Sequence, residues 1–600
     1  ERTKEVMSYR HEYFDLLYVS TSNLVFELTS DTEVGLACLD AESEFNGNVV
    51  VPERVSINGK IYSVTSIGSS AFDKCRNLEN VTLPASINRI GNCAFNYCSN
   101  LQFEKLPESL EIIGALAFAN CENLRLTSLP NGLREICKYA FINCSNLQLE
   151  SLPEGLEIID DEAFRSCSNL QLKALPANLH EIGDGAFYSC RKIELKKLPE
   201  DLETIGRETF RNCSNLQLEA LPANLREIGD EAFTSCHRLS LRELPANLRE
   251  IGNNAFAYCE NLQLETLPAN LREIGDNAFE FCERISLRTL PEGLEIIGRE
   301  AFNACTNLKL KALPANLREI GDSTFAYCRN LQLEELPAGL EIIGREAFKA
   351  CVNLKLKALP AGLEIIGDEA FAYCERISLI TLPGGITRIG EKTFDRCSNL
   401  QLEALPENLR EIGDGAFYYC RNLRLEELPE GLEIIGDHAF EFCERISLIT
   451  LPGGLTRIGA STFYHCSNLQ LEALPENLRE IGNGAFYCCR NLRLEELPEG
   501  LEIIGDEAFR SCDRISLRTL PGGITRIGAR TFANCSNLRL EELPEGLEII
   551  GEGSFAGTGI RTITIPESVT ELGDSAFDTD SIEEIILAER SRLNDGDIRR

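Results

Sequence analysis

Histidine is scarce, basic charge is outweighed, and no apolar run approaches the roughly 18 residues that a membrane-spanning helix needs. The five histidines, His11, His180, His237, His438 and His465, are scattered along 600 residues. They form no constellation for acid–base or nucleophilic chemistry. The 59 lysines and arginines face 94 acids, giving a net charge of −35. Nucleic acids and anionic membranes are bound by cations that neutralise phosphates, so an acidic chain is repelled by both. The 25 cysteines include no C-x-x-C pair, and paired zinc-ligand spacing is therefore missing. We expect no catalytic residue, no cofactor, no metal, no nucleic-acid partner and no membrane insertion.

Proline is missing everywhere except on a grid. Apart from Pro52 and Pro566, every proline falls at 23-residue intervals from Pro84 to Pro544. Phenylalanine keeps the same beat from Phe72 to Phe555 and then Phe577, and cysteine keeps it from Cys75 to Cys535. A fixed period of roughly 20 to 50 residues marks stacked repeats rather than separate domains. The phenylalanines number 23 rungs.

A typical rung runs from Leu221 to Glu243. Leu239 and Leu241 alternate with Ser240 and Arg242, the period of a short half-buried strand. Leu225 and Ile228 flank a second extended stretch, and Gly229 allows a bend where a side chain would obstruct. Asp230 is placed to cap a single helical turn that would put Ala232, Phe233 and Cys236 on one inward face. One rung cannot bury that face alone, whereas stacked rungs share a continuous core. At about 4.8 Å per strand, 23 rungs would follow a curved path on the order of 110 Å.

Residues 1–64 break the register and contain strand-like runs at Tyr13–Val19 and Asn23–Leu28, so we expect an N-terminal cap over the first rung. Residues 65–587 form the solenoid, closed by a strand at Ser581–Leu587, and 588–600 form a charged tail. The segment Gly59 to Phe72 and the recurring I-G-x-x-A-F-x-x-C resemble BspA-like, Treponema-type leucine-rich-repeat proteins. The resemblance covers roughly residues 50–587 and implies a repeat solenoid, a right-handed coil of short parallel strands and single helical turns. It further implies a secreted or cell-surface protein, with adhesion among the family's roles. One departure stands out. Leu78 to Pro84 comes close to the family's L-x-x-V-x-I-P strand, but interior rungs read L-x-L-x-x-L-P, as at Leu400, Leu402, Leu405 and Pro406.

Twenty-one cysteines share one repeat position. Parallel neighbours about 4.8 Å apart exceed disulfide reach, so buried free thiols are expected. Free thiols favour a reducing compartment, against the surface location that the resemblance implies. The chain starts at Glu1 with no apolar signal segment, as a processed or shortened chain would. Aspartate recurs at the cap position of the rung, as at Asp161, Asp230 and Asp322. Arg207, Arg299 and Arg345 take the same place, so capping explains it better than calcium. Asn100, Asn215 and Asn399, replaced elsewhere by Lys192 or Arg238, are expected to face water.

Two faces vary from rung to rung and are the candidate partner-binding surfaces. The slot between Phe and Cys carries an interrupted aromatic stripe of Tyr258, Phe281, Tyr327, Tyr373, Tyr419, Phe442 and His465. Residues 399–467 and 468–536 are a near-identical 69-residue unit repeated, with 11 differences. Those differences include Tyr419 to Cys488, Glu441 to Arg510, Phe442 to Ser511, Tyr464 to Ala533 and His465 to Asn534. The second face is a band of Ile112, Ile158, Ile296, Ile342, Ile365, Ile434 and Ile503 after the post-proline leucine, interspersed with Glu and Arg that can pair across rungs. A non-enzymatic solenoid binding a protein or glycan fits these faces. A rod that assembles with itself into a filament or surface layer, and an intracellular scaffold or secreted effector, are the alternatives.

Overall fold

The computed structural model describes residues 6–11, 14–21, 24–37, 47–578, 580–589, 591 and 593. Glu1, Tyr13, Asn23, Cys38 and most of the charged tail lie outside them. The chain is a parallel β-solenoid of about 23 turns of about 23 residues. It divides into two compact units, 1–287 with 293–305, and 288–292 with 306–600.

The first unit opens with four strands in antiparallel succession: β1 (Val6–His11), β2 (Phe14–Thr21), β3 (Leu24–Leu28) and β4 (Glu33–Leu36). Next come β5 (Gly47–Val50), β6 (Arg54–Ile57), β7 (Lys60–Ile67) and β8 (Leu78–Thr82). β7 pairs antiparallel with β6 and parallel with β4, while β5 runs parallel to β8. The repeat then takes over. Each rung adds a two-residue strand after its proline, from β9 (Arg89–Ile90) to β29 (Ile549–Ile550). In the first unit these form ladders ending at Glu181–Ile182 and at Ile296–Ile297. In the second unit the ladders run over Glu319–Ile366, Arg388–Ile435 and from Arg457 onward, closing on β31 (Glu571–Leu572). β30 (Thr562–Ile565) pairs with β32 (Glu584–Leu587), the closing strand that the sequence indicated.

Two local expectations are corrected. The Leu239–Leu241 stretch points both leucines inward but is not a ladder strand. It keeps one inter-rung backbone bond, Gln263 N–H to Leu241 O at 3.0 Å. The departure noted in sequence accounts for this. Where the rung reads Leu78 to Pro84, or Thr562-Ile-Thr-Ile-Pro566, a ladder strand of four or five residues forms. In the interior pattern two polar residues separate Leu241 from Leu244, breaking the strict alternation that a strand requires.

The expected helical turn is also absent, since no helix occurs among the described residues. Ala232, Thr234 and Cys236 donate to the carbonyls of Gly229, Glu231 and Phe233, closing turns three residues back. A helix would bond four residues back. The amides between them, of Glu231, Phe233 and Ser235, donate to Asn253, Ala255 and Ala257 of the next rung at 2.7–2.8 Å. This alternation needs a left-handed residue in every other turn, and Glu231 (φ 57°) and Ser235 (φ 60°) supply it. Asp230 caps, but one rung ahead, because its carboxylate accepts the Asn253 amide at 2.7 Å. The Arg207 amide donates in the same way to the Asp184 carboxylate, and the Arg345 amide to that of Asp322. Gly229 is required by space, since a Cβ there would lie 2.9 Å from the Arg207 amide nitrogen of the preceding rung.

Stacked phenylalanines form the core. From Phe72 to Phe302 in the first unit successive rings lie 5.1–5.6 Å apart and within 11° of parallel. The second unit repeats this from Phe325 to Phe577 at 5.2–5.7 Å. Each buried ring contributes roughly 1.5–3 kcal/mol. The repeat cysteines pack beside them as free thiols, and Cys236 Sγ donates to Phe210 O at 3.1 Å, a bond repeated rung after rung. Burial raises these thiols, Cys259 to about 12, and keeps them protonated as donors.

Candidate functional site

The slot between Phe and Cys holds two residues, and the backbone treats them differently. The second always has positive φ, from Lys74 to Gly557, and only at Gly557 is that residue glycine. All seven stripe candidates adopt it, at φ 54–61°. Left-handed backbone costs a non-glycine residue of order 1 kcal/mol or more, so bulky rings there are held at a conformational cost. In the first unit Tyr258 and Phe281 stack at 5.1 Å, both exposed. In the second unit Tyr327 and Tyr373 are exposed, each next to an alanine rung at Ala350.

The rings of the second unit gather between Tyr373 and Tyr487. Tyr419 and Phe442 lie 4.3 Å apart, and Phe442 and His465 5.1 Å. Three rings that the stripe did not include come from the first slot position. Tyr418 meets Tyr419 edge-on at 4.7 Å, and Tyr464 stacks on Tyr487 at 4.6 Å. Their signal in sequence was an aromatic one residue earlier, which a single-column reading overlooks. Arg396 places its guanidinium over Tyr373, Tyr418 and Tyr419 at 5.0–5.6 Å, and Arg421 lies over Tyr419 at 5.2 Å. These are cation–π distances.

Acids sit beneath the rings. Asp395 is 5% exposed, its Oδ1 makes no hydrogen bond, and the Arg396 Nε stands 3.8 Å away. Burial pushes its carboxyl up to about 6, against the pull of Arg396 and Lys392. Glu441 is buried and bonded to His438 at 2.5 Å. His465 is lowered by burial and then by Arg490, so it stands neutral among the rings near pH 7.

The isoleucine band is brought together differently. Ile112, Ile296, Ile365, Ile434 and Ile503 are exposed, whereas Ile158 and Ile342 are half-buried. Ile380 and Ile449, outside the expected band, are also exposed. Beside Ile112 a shallow groove of about 510 Å³ is lined by Glu111, Gly132, Arg134, Glu135 and Cys137. Burial and then Glu135 push the Cys137 thiol up to about 11, which disfavours a nucleophilic thiolate. His180 is exposed with Nδ1 3.3 Å from Asn178 O, and His237 lies 3.7 Å from Glu260. The asparagines before the inner leucine stretch do more than face water, because Asn100, Asn123, Asn146 and Asn169 link side chain to side chain at 3.3–3.5 Å. Among the described residues no helix is long and apolar enough to cross a membrane.

The comparisons with known proteins bear on this scaffold. A leucine-rich-repeat protein from Bacteroides ovatus is 25% identical, with 70% of this chain and 99% of that chain covered and a TM-score of 0.47. A leucine-rich cell surface protein from Faecalibacterium prausnitzii is 20% identical over 65% and 94%, at 0.34. The leucine-rich-repeat protein of T. pallidum is 28% identical over 37% and 89%, at 0.26. No curated protein matches the chain. The profile of the BspA-type leucine-rich-repeat region matches residues 65–194, 135–263, 226–355, 341–470 and 472–583. With the 23-residue grid, the phenylalanine stack and this match across most of its length, the chain belongs to the BspA-type leucine-rich-repeat family.

Proposed function

We propose that the chain is a non-enzymatic binding scaffold, displayed outside the cell, that recognises a protein partner through the aromatic–arginine cluster between Tyr373 and Tyr487. The observation that carries this reading is the strained column: bulky rings occupy left-handed positions that glycine or asparagine would fill at lower cost. Tyrosine and arginine are the residues that dominate protein-interface energetics, and here Arg396 is held in place by three tyrosine rings. Protein fits better than glycan. Tyr464 and Tyr487, and Phe442 and His465, cover one another's faces, leaving edges rather than faces for a partner. The extracellular setting rests on family membership, and buried thiols are compatible with it.

Binding of the fluorescently labelled chain to immobilised matrix glycoproteins and to intact cells tests this reading. The wild type is expected to bind in a saturable way, and a variant carrying Tyr419→Cys, Phe442→Ser and Tyr464→Ala to lose most of it. Equal binding by both would assign recognition elsewhere.

A further inference from the structure

The outward column of the post-proline strands in the second unit has an order that the binding cluster does not use. Pairing places Arg388 beside Glu411 and Glu411 beside Ile434. Arg457 lies beside Glu480 and Glu480 beside Ile503. The arginines are partnered within the chain, Arg388 to Glu411 and Asp368 at 3.0 Å each, and Arg457 to Glu480 at 3.2 Å and Asp437 at 3.1 Å. The isoleucines are not covered. Ile365, Ile434 and Ile503 remain 52%, 54% and 54% exposed. Burying such a side chain is favourable by roughly 1.5–3 kcal/mol, and the pairing partner of Ile434 and Ile503 on this column is a glutamate.

Read outward from Ile434, the column is complementary to its own reverse. One rung away on either side stand Glu411 and Arg457, two rungs away Arg388 and Glu480, three rungs away Ile365 and Ile503. An antiparallel second copy therefore sets acid on base and isoleucine on isoleucine at every step. A parallel copy in register sets Glu on Glu and Arg on Arg. Self-complementary patches of this kind close a twofold dimer. We propose that this face binds a second copy of the chain, antiparallel, about a twofold axis at Ile434.

The interface is narrow. Six rung steps of about 4.8 Å span roughly 29 Å, and the column one residue earlier brings Glu433 onto its own counterpart. Association is thus expected in the weak class of small interfaces. The face uses residue columns distinct from the Phe–Cys slot, so the failure of either reading leaves the other standing.

Sedimentation equilibrium of the full chain at physiological ionic strength tests the proposal. A reversible monomer–dimer equilibrium is expected, weakened roughly tenfold or more by Ile434→Asp, which changes an exposed side chain. Oxidative cross-linking fixes the orientation. An Ile434→Cys chain should cross-link to itself. An Ile365→Cys chain should not, yet it should cross-link to an Ile503→Cys chain, with the wild type as the control for native thiols. A chain that stays monomeric to about 100 µM, well into the range of weak interfaces, would overturn the proposal. So would a dimer indifferent to Ile434→Asp, or an Ile365→Cys chain that cross-links to itself.

Discussion

Residues 399–467 and 468–536 are two copies of one three-rung unit, and they diverge almost only where the structure can tolerate it. Their phenylalanines, Phe417, Phe440, Phe463 and Phe486, Phe509, Phe532, continue one stack at 5.3–5.5 Å. Every core leucine is retained, apart from the conservative Leu455 to Ile524. In the slot the first copy carries Tyr419, Glu441, Phe442, Tyr464 and His465, and the second carries Cys488, Arg510, Ser511, Ala533 and Asn534. The backbone is the same in both, with φ of 58° at both Tyr419 and Cys488 and 60° at both Phe442 and Ser511. The same rung backbone and phenylalanine stack stand with either set of slot residues. This separation of scaffold from slot is what the following tests sharpen or break.

The largest effect belongs to the shared core. Phe440→Ala and Phe509→Ala should each cost roughly 3–5 kcal/mol of local stability by leaving a ring-sized gap in a fully buried stack. Hydrogen exchange should show the loss centred on the mutated rung and its neighbours, since rungs contact only neighbours. Equal protection before and after would mean that the stack is not the core. Moving the five slot residues of the second copy into the first should instead leave the melting profile nearly unchanged while lowering partner binding roughly tenfold or more. A chain that unfolds after this exchange would make the rings structural.

Asp395 gives a signed pH test of the same cluster. Its folded carboxyl is raised from 3.8 to about 6, so the native state holds its proton more tightly than the unfolded chain. The group's contribution to stability is therefore greatest at low pH and is lost as pH rises through about 6. Asp395→Asn, which mimics the protonated form, should raise the melting temperature at about pH 7.5 and change little near pH 4. A gain at both values would point to packing rather than charge. A smaller effect is expected at the thiols. In native protein a thiol reagent should modify only Cys75, Cys93 and Cys137, the half-exposed ones among the described residues, with Cys93 and Cys137 slow because burial raises both thiols. The hydrogen-bonded ladder should react only on unfolding. Arg457→Ala should be smallest, at most about 1 kcal/mol, because its ion pairs with Glu480 and Asp437 are half-exposed.

Much of this was legible in the sequence. The phenylalanine grid indicated the rung count, and the reading of Gly229 as a place where a side chain would obstruct matches the 2.9 Å approach to the Arg207 amide nitrogen. The helical turn was misread because Ala232, Phe233 and Cys236 have the spacing of a helix face, yet two left-handed residues turn their amides toward the next rung. Those bonds depend on a neighbour that a single rung does not contain. The inner strand was misread for a related reason, since leucine alternation puts side chains inward whether or not the backbone pairs. The stripe was visible, but Tyr418, Tyr464 and Tyr487 sit one residue before its column, and Arg396 joins it through cation–π contacts with rings of the neighbouring rungs.

The most direct test of the separation between scaffold and slot is a side-by-side titration, on immobilised matrix glycoproteins and intact cells, of the wild type and the chain whose first copy carries all five slot residues of the second. The account predicts matched melting curves with binding retained only by the wild type. Matched binding curves, or a swapped chain that no longer folds, would contradict it.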